Sequence, residues 1–161
     1  QTGFNQLYVY HFDGSLVRQL TSGENPLGSI VRVDQKKSLV YYTAYHNMGL
    51  DEYFHVVSFD GESTQLSESD GRYTISMNEA AEYYVSRSSS FDRPYAASMH
   101  KADGSLIRNL QKMNVEKVME QGLQAPEQVV FKAADGQTDL VGLVYKPADF
   151  DPTKTYPILL P

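Results

Sequence analysis

The sequence predicts an all-β fold built from a repeated four-stranded unit, and three observations lead to that prediction. The octapeptide DGSLVRQL at Asp13 returns as DGSLIRNL at Asp103. Asp-Gly pairs occur at Asp13, Asp60 and Asp103, roughly 45 residues apart, each between runs rich in aromatic and β-branched residues. Within these runs, apolar and polar residues alternate with a period of two, which indicates strands rather than helices.

Each Asp-Gly pair predicts a β-hairpin, because glycine adopts a positive φ without a Cβ clash. The first hairpin joins LYVYHF to SLVRQL, the second joins YFHVVSF to STQL, and the third joins YAASMH to SLIRNL. Two further strands precede the second hairpin, GSIVRV and SLVYYTAY, and two precede the third, RYTISM and EYYVSR.

Four short strands in a unit of this length predict the blades of a β-propeller. Residues 1–20 supply only the outer hairpin of one blade, a second blade runs from about 28 to 66, and a third from about 72 to 110. The prediction is therefore a partial β-propeller of about two and a half four-stranded blades. A β-sandwich is the alternative for a chain of short alternating strands.

The pattern changes after Leu110. NVEKVMEQGL predicts a short helix that ends near Gly122, with one apolar face formed by Val115, Val118, Met119 and Leu123. EQVVFKA and TDLVGLVYKP then predict a hairpin across Asp135-Gly136, and TYPILL predicts a third strand. The helical segment, residues 111–126, separates the repeated part, residues 1–110, from residues 127–161.

Composition excludes several classes of protein. The net charge of −6 disfavours a nucleic-acid partner, which requires clustered lysine and arginine. The absence of cysteine rules out disulfides and thiolate metal sites, and no apolar run is long enough for a membrane-spanning helix. Because the chain begins at Gln1 and stops inside the apolar run YPILLP, we expect it to be a piece of a longer protein.

The residues that invite a catalytic interpretation are better explained as structural. His11, His46, His55 and His100 have no spacing typical of a metal site and are predicted to occupy ordinary strand or turn positions. Ser86, Ser88, Ser89 and Ser90 are interpreted as part of a polar loop, since a catalytic role would require one of them to meet His100 and Asp92. Asp135 and its neighbours lack the length and terminal glutamate of a calcium loop, so they predict a turn.

Aromatic residues are concentrated in YYTAYHNMGLDEYF, which contains Tyr41, Tyr42, Tyr45, Tyr53 and Phe54. We expect these side chains to fill the space between blades, where aromatic area contributes most of the packing energy. The loop from Asn47 to Leu50, which interrupts this segment, is the place where we expect a partner to make contact.

From the third repeat onward, the sequence resembles the dipeptidyl peptidase IV branch of the prolyl oligopeptidase family. The resemblance is carried by YYVSRSSSFDRPYAASMHKADGSLIRNL and, more specifically, by KPADFDPTKTYPILL. GFNQLYVYHFDGSLVRQLTSGE is similar to the outer hairpin of an earlier blade, although family members commonly continue with an aromatic and a valine where Asn25-Pro26-Leu27-Gly28 follows here. This resemblance implies that residues 127–161 are the first strands of an α/β-hydrolase domain, truncated at the last residue.

The resemblance also implies a function for the parent protein. It would be a serine exopeptidase that releases N-terminal Xaa-Pro or Xaa-Ala dipeptides by Ser-His-Asp acyl transfer, with the propeller controlling access of peptide substrates. The parent is expected to be a homodimer in the periplasm or at the cell surface, without a cofactor. No catalytic, substrate-binding or metal-binding residue of the family falls within these 161 residues, because the nucleophile motif G-x-S-x-G is absent.

Two further expectations follow. A non-catalytic propeller that binds a protein or a glycan is the alternative function, although such a scaffold has no reason to continue into KPADFDPTKTYPILL. An isolated chain of incomplete blades leaves uncovered strand edges and sheet faces, so we expect it to pair with other copies of itself.

Overall fold

The computed structural model describes residues 3–91, 93–120, 122 and 124–159, with the backbone alone at 118 and 119. The chain divides into two compact units, Gln1–Met113 and Asn114–Pro161. The first unit consists mainly of β-strands, as the alternating pattern predicts, whereas the described strands of the second unit are those of one hairpin. Among the described residues, no helix has the length and apolar character needed to cross a membrane.

The described residues of the first unit form ten strands, arranged as one hairpin and two larger sheets. Strands β1 and β2 form the first hairpin, β3 to β6 form an antiparallel meander that we call the middle sheet, and β7 to β10 form a second meander, the last sheet. The strands are β1 (Tyr8–Tyr10), β2 (Leu16–Gln19), β3 (Leu27–Asp34), β4 (Leu39–His46), β5 (Asp51–Ser58), β6 (Ser63–Gln65), β7 (Arg72–Met77), β8 (Tyr83–Ser89), β9 (Ala96–Lys101) and β10 (Leu106–Lys112).

The three Asp-Gly turns share one hydrogen-bond pattern. In the first turn, the amide of Gly14 donates to the carbonyl of His11, and the amide of His11 donates to the carbonyl of Ser15. The same two bonds recur around Gly61 and Gly104, and the three glycines have φ angles of 86°, 90° and 90°. This is the three-residue hairpin loop, a type I turn followed by a left-handed glycine. The repeated octapeptide therefore encodes the same turn in the same place.

The core lies on both faces of the middle sheet, because successive side chains of a strand point to opposite faces. On one face, Tyr42 and Val57 pack against Leu7 and Leu20 of the first hairpin region. On the other face, a second cluster packs against the last sheet and is formed by Tyr41, Phe54, Ala81 and Tyr84. The aromatic-rich segment therefore fills the space between sheets, as expected.

The middle and last sheets are joined by a single parallel residue pair, Glu52 with Arg72. Arg72 also forms an ion pair with Glu52 at 3.3 Å, and the amide of Glu52 donates to the carbonyl of Gly71. The two four-stranded sheets therefore touch at one edge and face each other across their side chains.

Over its described residues, the second unit forms one short helix and one hairpin. Helix α1 (Val115–Met119) begins after Asn114, whose side-chain carbonyl accepts a hydrogen bond from the amide of Lys117. Gly122 follows with φ of 77°, as expected for a residue that ends a helix; Leu123, predicted on the same helix, lies outside the described residues. Strands β11 (Glu127–Lys132) and β12 (Asp139–Val144) pair in continuous antiparallel register around the predicted Asp135-Gly136 turn.

Two predictions about individual segments are wrong. The stretch TYPILL forms no strand over its described residues, 155–159, and Ile158 and Leu159 are 84% and 93% exposed. A strand requires a neighbour that satisfies its backbone groups, and the described residues provide none here. The serines interpreted as a loop also continue a strand: Ser88 and Ser89 extend β8 beyond the predicted strand EYYVSR, which already contains Ser86. All three pair with β7, and Ser86 and Ser88 also pair with β9.

Candidate functional site

Two of the four histidines meet on one face of the middle sheet. His46 ends β4 and His55 lies in the centre of β5, and their Nε2 atoms are 3.2 Å apart. Tyr53 stacks on the His46 ring at 4.3 Å, and Tyr42 stacks on the His55 ring at 5.3 Å. We call these four residues the histidine-pair cluster. Tyr42 and His46 lie on one face of β4, and Tyr53 and His55 lie on one face of β5, because alternate residues of a strand point the same way. Since Tyr42 pairs with His55 across the two strands, all four side chains share one face of the sheet.

Burial changes the acid–base behaviour of this cluster. Desolvation, together with the charge of His46, lowers the pKa of His55 from 6.5 to about 4. Desolvation also lowers the pKa of His46, although Asp51 partly opposes the effect. The pKa of Tyr53 is raised to about 12 by desolvation and by its hydrogen bond to Asp51. The cluster is therefore a neutral, hydrogen-bonded aromatic group at neutral pH.

Asp51 connects the cluster to the loop in which we expect a partner to bind. Its carboxylate accepts hydrogen bonds from Tyr53 Oη at 3.1 Å, from Asn47 Nδ2 at 3.4 Å and from the amide of Gly71 at 3.2 Å. The loop itself contains a short 3-10 turn, Asn47–Gly49. Asn47 and Met48 have positive φ angles of 48° and 54°, and Met48 is 65% exposed.

A cavity of about 480 Å³ opens beside this loop. Tyr45, Met48 and Arg72 line it, together with Phe4 and Glu24 from the region of the first hairpin. The guanidinium of Arg72 lies 5.6 Å from the ring centre of Tyr45, which fixes a cation against an aromatic face at the wall. The cavity wall therefore combines apolar side chains with charged groups of both signs, and its arginine is ion-paired with Glu52.

A second cavity, of about 490 Å³, lies between the middle and last sheets; we call it the intersheet cleft. Phe54, Tyr73 and Tyr84 form its apolar floor, and serines line its wall on β8 and β9. Within it, Ser98 Oγ lies 2.8 Å from Nε2 of His100, and Nδ1 of His100 lies 3.1 Å from the carbonyl oxygen of Gly104.

The described hydrogen bonds of His100 do not involve the serines at 86, 88, 89 and 90, for which the sequence predicts no catalytic role. The serine that meets His100 is Ser98, two residues away on the same strand, while Asp92 lies outside the described residues. The spacing of Ser98 and His100 in the sequence indicates that they lie on one face of β9, since residues two apart on a strand share a face. Among the described residues, no group of three or more metal-binding side chains comes together. His11 lies at the first Asp-Gly turn, exposed to solvent.

Comparison with solved structures shows the class of fold. The structure of dipeptidyl peptidase 4 from Porphyromonas gingivalis superposes on 96% of this chain with a TM-score of 0.86, at 24% sequence identity, and the chain covers 22% of that structure. This similarity shows the fold: a partial β-propeller followed by the first strands of an α/β-hydrolase domain.

The family model for the dipeptidyl peptidase IV N-terminal region matches residues 1–95, so the chain belongs to that family. Human dipeptidyl peptidase 8 is 27% identical over 154 residues, which cover 88% of this chain and 17% of the relative. Dipeptidyl peptidase 4 of Trichophyton rubrum is 27% identical over 164 residues, which cover 98% of this chain and 21% of the relative. The chain thus spans about a fifth of the length of the relatives it matches.

Proposed function

We propose that this chain is part of a serine exopeptidase that releases Xaa-Pro or Xaa-Ala dipeptides from the amino termini of peptides. The observation that carries the proposal is the extent of the match: similarity to named dipeptidyl peptidases continues over 98% of the chain, past the repeated sheets. A propeller that served only as a binding scaffold would not require the second unit. The alternative of a non-catalytic scaffold is therefore disfavoured.

In this proposal, the first unit helps to control which peptides reach the catalytic centre. The loop from Asn47 to Leu50 and the cavity beside it are the features that support such a role. Met48 presents an exposed, flexible side chain, and the guanidinium of Arg72 at the cavity wall is ion-paired with Glu52. Apolar side chains of peptides that reach this surface would pack on Met48.

The proposal is tested with the full-length protein encoded by the same gene. We expect it to release p-nitroaniline from Gly-Pro-p-nitroanilide and Ala-Pro-p-nitroanilide, and to fail with the N-acetylated forms of both substrates, because an exopeptidase requires a free amino terminus. The 161-residue chain alone is the matched control and should release none, since it lacks the G-x-S-x-G motif.

Two results would contradict the proposal. A full-length protein that folds but cleaves neither substrate would favour the scaffold alternative. Cleavage of the N-acetylated substrates at a similar rate would indicate an endopeptidase instead.

A further inference from the structure

The contacts of His100 fix which of its nitrogens carries the proton. The carbonyl oxygen of Gly104 can only accept a hydrogen bond, so Nδ1 of His100, 3.1 Å away, must be the donor. In the neutral ring, Nε2 then has a free lone pair, and the hydroxyl of Ser98 donates to it at 2.8 Å. The serine, the imidazole and the carbonyl form a hydrogen-bonded chain in which the imidazole is oriented to accept the serine proton.

The surrounding strands hold this chain in place. His100 is stacked on Tyr84 with ring centres 4.9 Å apart and an angle of 6° between the planes. Ser98 pairs with Ser86 on β8 and with Asn109 on β10. Because directly paired residues share a face of the sheet, Asn109 is placed beside Ser98 on the side of the intersheet cleft, which both residues line.

The intersheet cleft gives a small molecule access to Ser98. Its volume of about 490 Å³ is within the range of ligand-binding cavities. Ser98 and His100 are half-buried, while Asn109 and Lys112 at the outer strand are exposed. The hydroxyl is thus partly shielded from water but open to the cleft.

We propose that Ser98 and His100 form a nucleophile–base pair that accepts an acyl group from small activated esters. Ser98 Oγ forms a bond to the ester carbonyl carbon, while its proton passes to Nε2 of His100. The bond to the leaving oxygen breaks, and the leaving group departs as an alcohol or phenol after it takes that proton. The side-chain amide of Asn109 can donate to the oxyanion that forms in between. This activity goes beyond the proposed peptidase function and uses only residues of this chain.

The 161-residue chain is incubated with p-nitrophenyl acetate, digested with trypsin and analysed by mass spectrometry with fragmentation of the peptides. We expect an acetyl group on Ser98 and release of p-nitrophenolate in a matching amount. The same reaction after denaturation in concentrated guanidinium chloride should give no preference for Ser98, because the hydrogen-bonded chain is then lost. This comparison requires no variant.

Three variants sharpen the test. Ser98→Ala should abolish the site-specific label, and His100→Phe, which retains a ring against Tyr84, should slow acetylation of Ser98 about 100-fold because the base is gone. Ser15→Ala is the control, since Ser15 is an exposed serine of the first hairpin that lies outside the cleft, and should react like the unmodified chain. Circular dichroism confirms that each variant is folded.

Several outcomes would overturn the proposal. Acetylation confined to lysines, or spread equally over the serines of the peptide that contains Ser98, would show that this hydroxyl has no special reactivity. An unchanged rate in a folded His100→Phe variant would show that the imidazole does not act as a base. Equal labelling of native and denatured chains would exclude any contribution from the structure.

Discussion

His46 and His55 meet end to end rather than face to face. The distance between their ring centres, 5.3 Å, exceeds the 3.2 Å between their Nε2 atoms by roughly two imidazole radii, and the ring planes differ by only 16°. Each Nε2 therefore points at the other, so one ring donates a proton and the other accepts it. This geometry suits a shared proton, whereas two metal-binding nitrogens would both direct their lone pairs at a third point.

The pKa of His55 predicts how the stability of the first unit depends on pH. The folded chain holds His55 with a pKa of about 4, below its ordinary value of 6.5, so the unfolded chain binds a proton more readily. The contribution of this residue to stability is therefore complete above pH 6.5 and is lost as the pH falls toward 4. The full loss is on the order of 3 kcal/mol.

The measurement is urea denaturation of the unmodified chain and of His55→Gln at several pH values. We expect the variant to lose less stability than the unmodified chain between neutral pH and about pH 4. His11→Gln, a substitution at an exposed turn, is the control and should follow the unmodified chain. Parallel curves for His55→Gln and the unmodified chain would contradict the assignment of a buried neutral imidazole.

At the scale of elements, the segment that joins β6 to β7 is held tightly at its end. The carboxylate of Asp51 accepts a hydrogen bond from the amide of Gly71, and the guanidinium of Arg93 binds Glu68 at 2.6 Å and Asp70 at 3.0 Å. These contacts bring the connection against the end of β8. They determine where the last sheet begins relative to the middle sheet.

Gly71 offers a direct test of this close approach. It has a φ of 80°, and a Cβ at this position would lie 2.4 Å from the carbonyl oxygen of Ser89. Gly61 has a similar φ of 90° but open space around it. Both Gly→Ala substitutions therefore carry the cost of a positive φ, and only Gly71→Ala adds a backbone clash.

We expect Gly71→Ala to lower the free energy of unfolding by about 1–3 kcal/mol more than Gly61→Ala does. Guanidinium denaturation of the two variants measures the difference. Equal losses would mean that the connection moves away from β8 without cost, and the close approach would then have no role in holding the sheets.

Strands were predictable where alternation and turn residues agreed. β7 was predicted with the observed ends, and the Asp-Gly pairs located the hairpins, because the left-handed position of the turn requires a residue like Gly104. The predictions failed for the serine run at the end of β8, where the side chains give no pattern and pairing with neighbouring strands determines the structure. The spacing of Ser98 and His100 places both on one face of β9, but their hydrogen bond also depends on side-chain rotamers, which spacing does not determine.

At the scale of the whole molecule, the two units differ in how much they bury. Phe54 and Val57 in the middle sheet are fully buried, and that sheet has neighbours on both faces. The hairpin of β11 and β12 is exposed or half-buried at every position. A two-stranded hairpin with so little burial is marginally stable, so we expect the units to open independently.

Hydrogen exchange of the complete chain tests this expectation. Amides in the centre of β4 and β5 should exchange at least ~100-fold more slowly than paired amides of β11 and β12. Mass spectrometry of peptic fragments gives both rates in one sample, so the slow fragments act as the internal control. Similar protection in both regions would show that the chain unfolds as a single cooperative body.

The opposite orientations of Tyr41 and Tyr42 have a consequence for how sequences of this kind can change over time. Neighbouring residues of β4 pack on opposite faces of the middle sheet. Inserting or deleting one residue within the strand would therefore turn every later side chain to the other face. We therefore expect length variation to fall mainly in the turns and connections. Among distant descendants of the same ancestor, gaps in an alignment should fall at the ends of the strands.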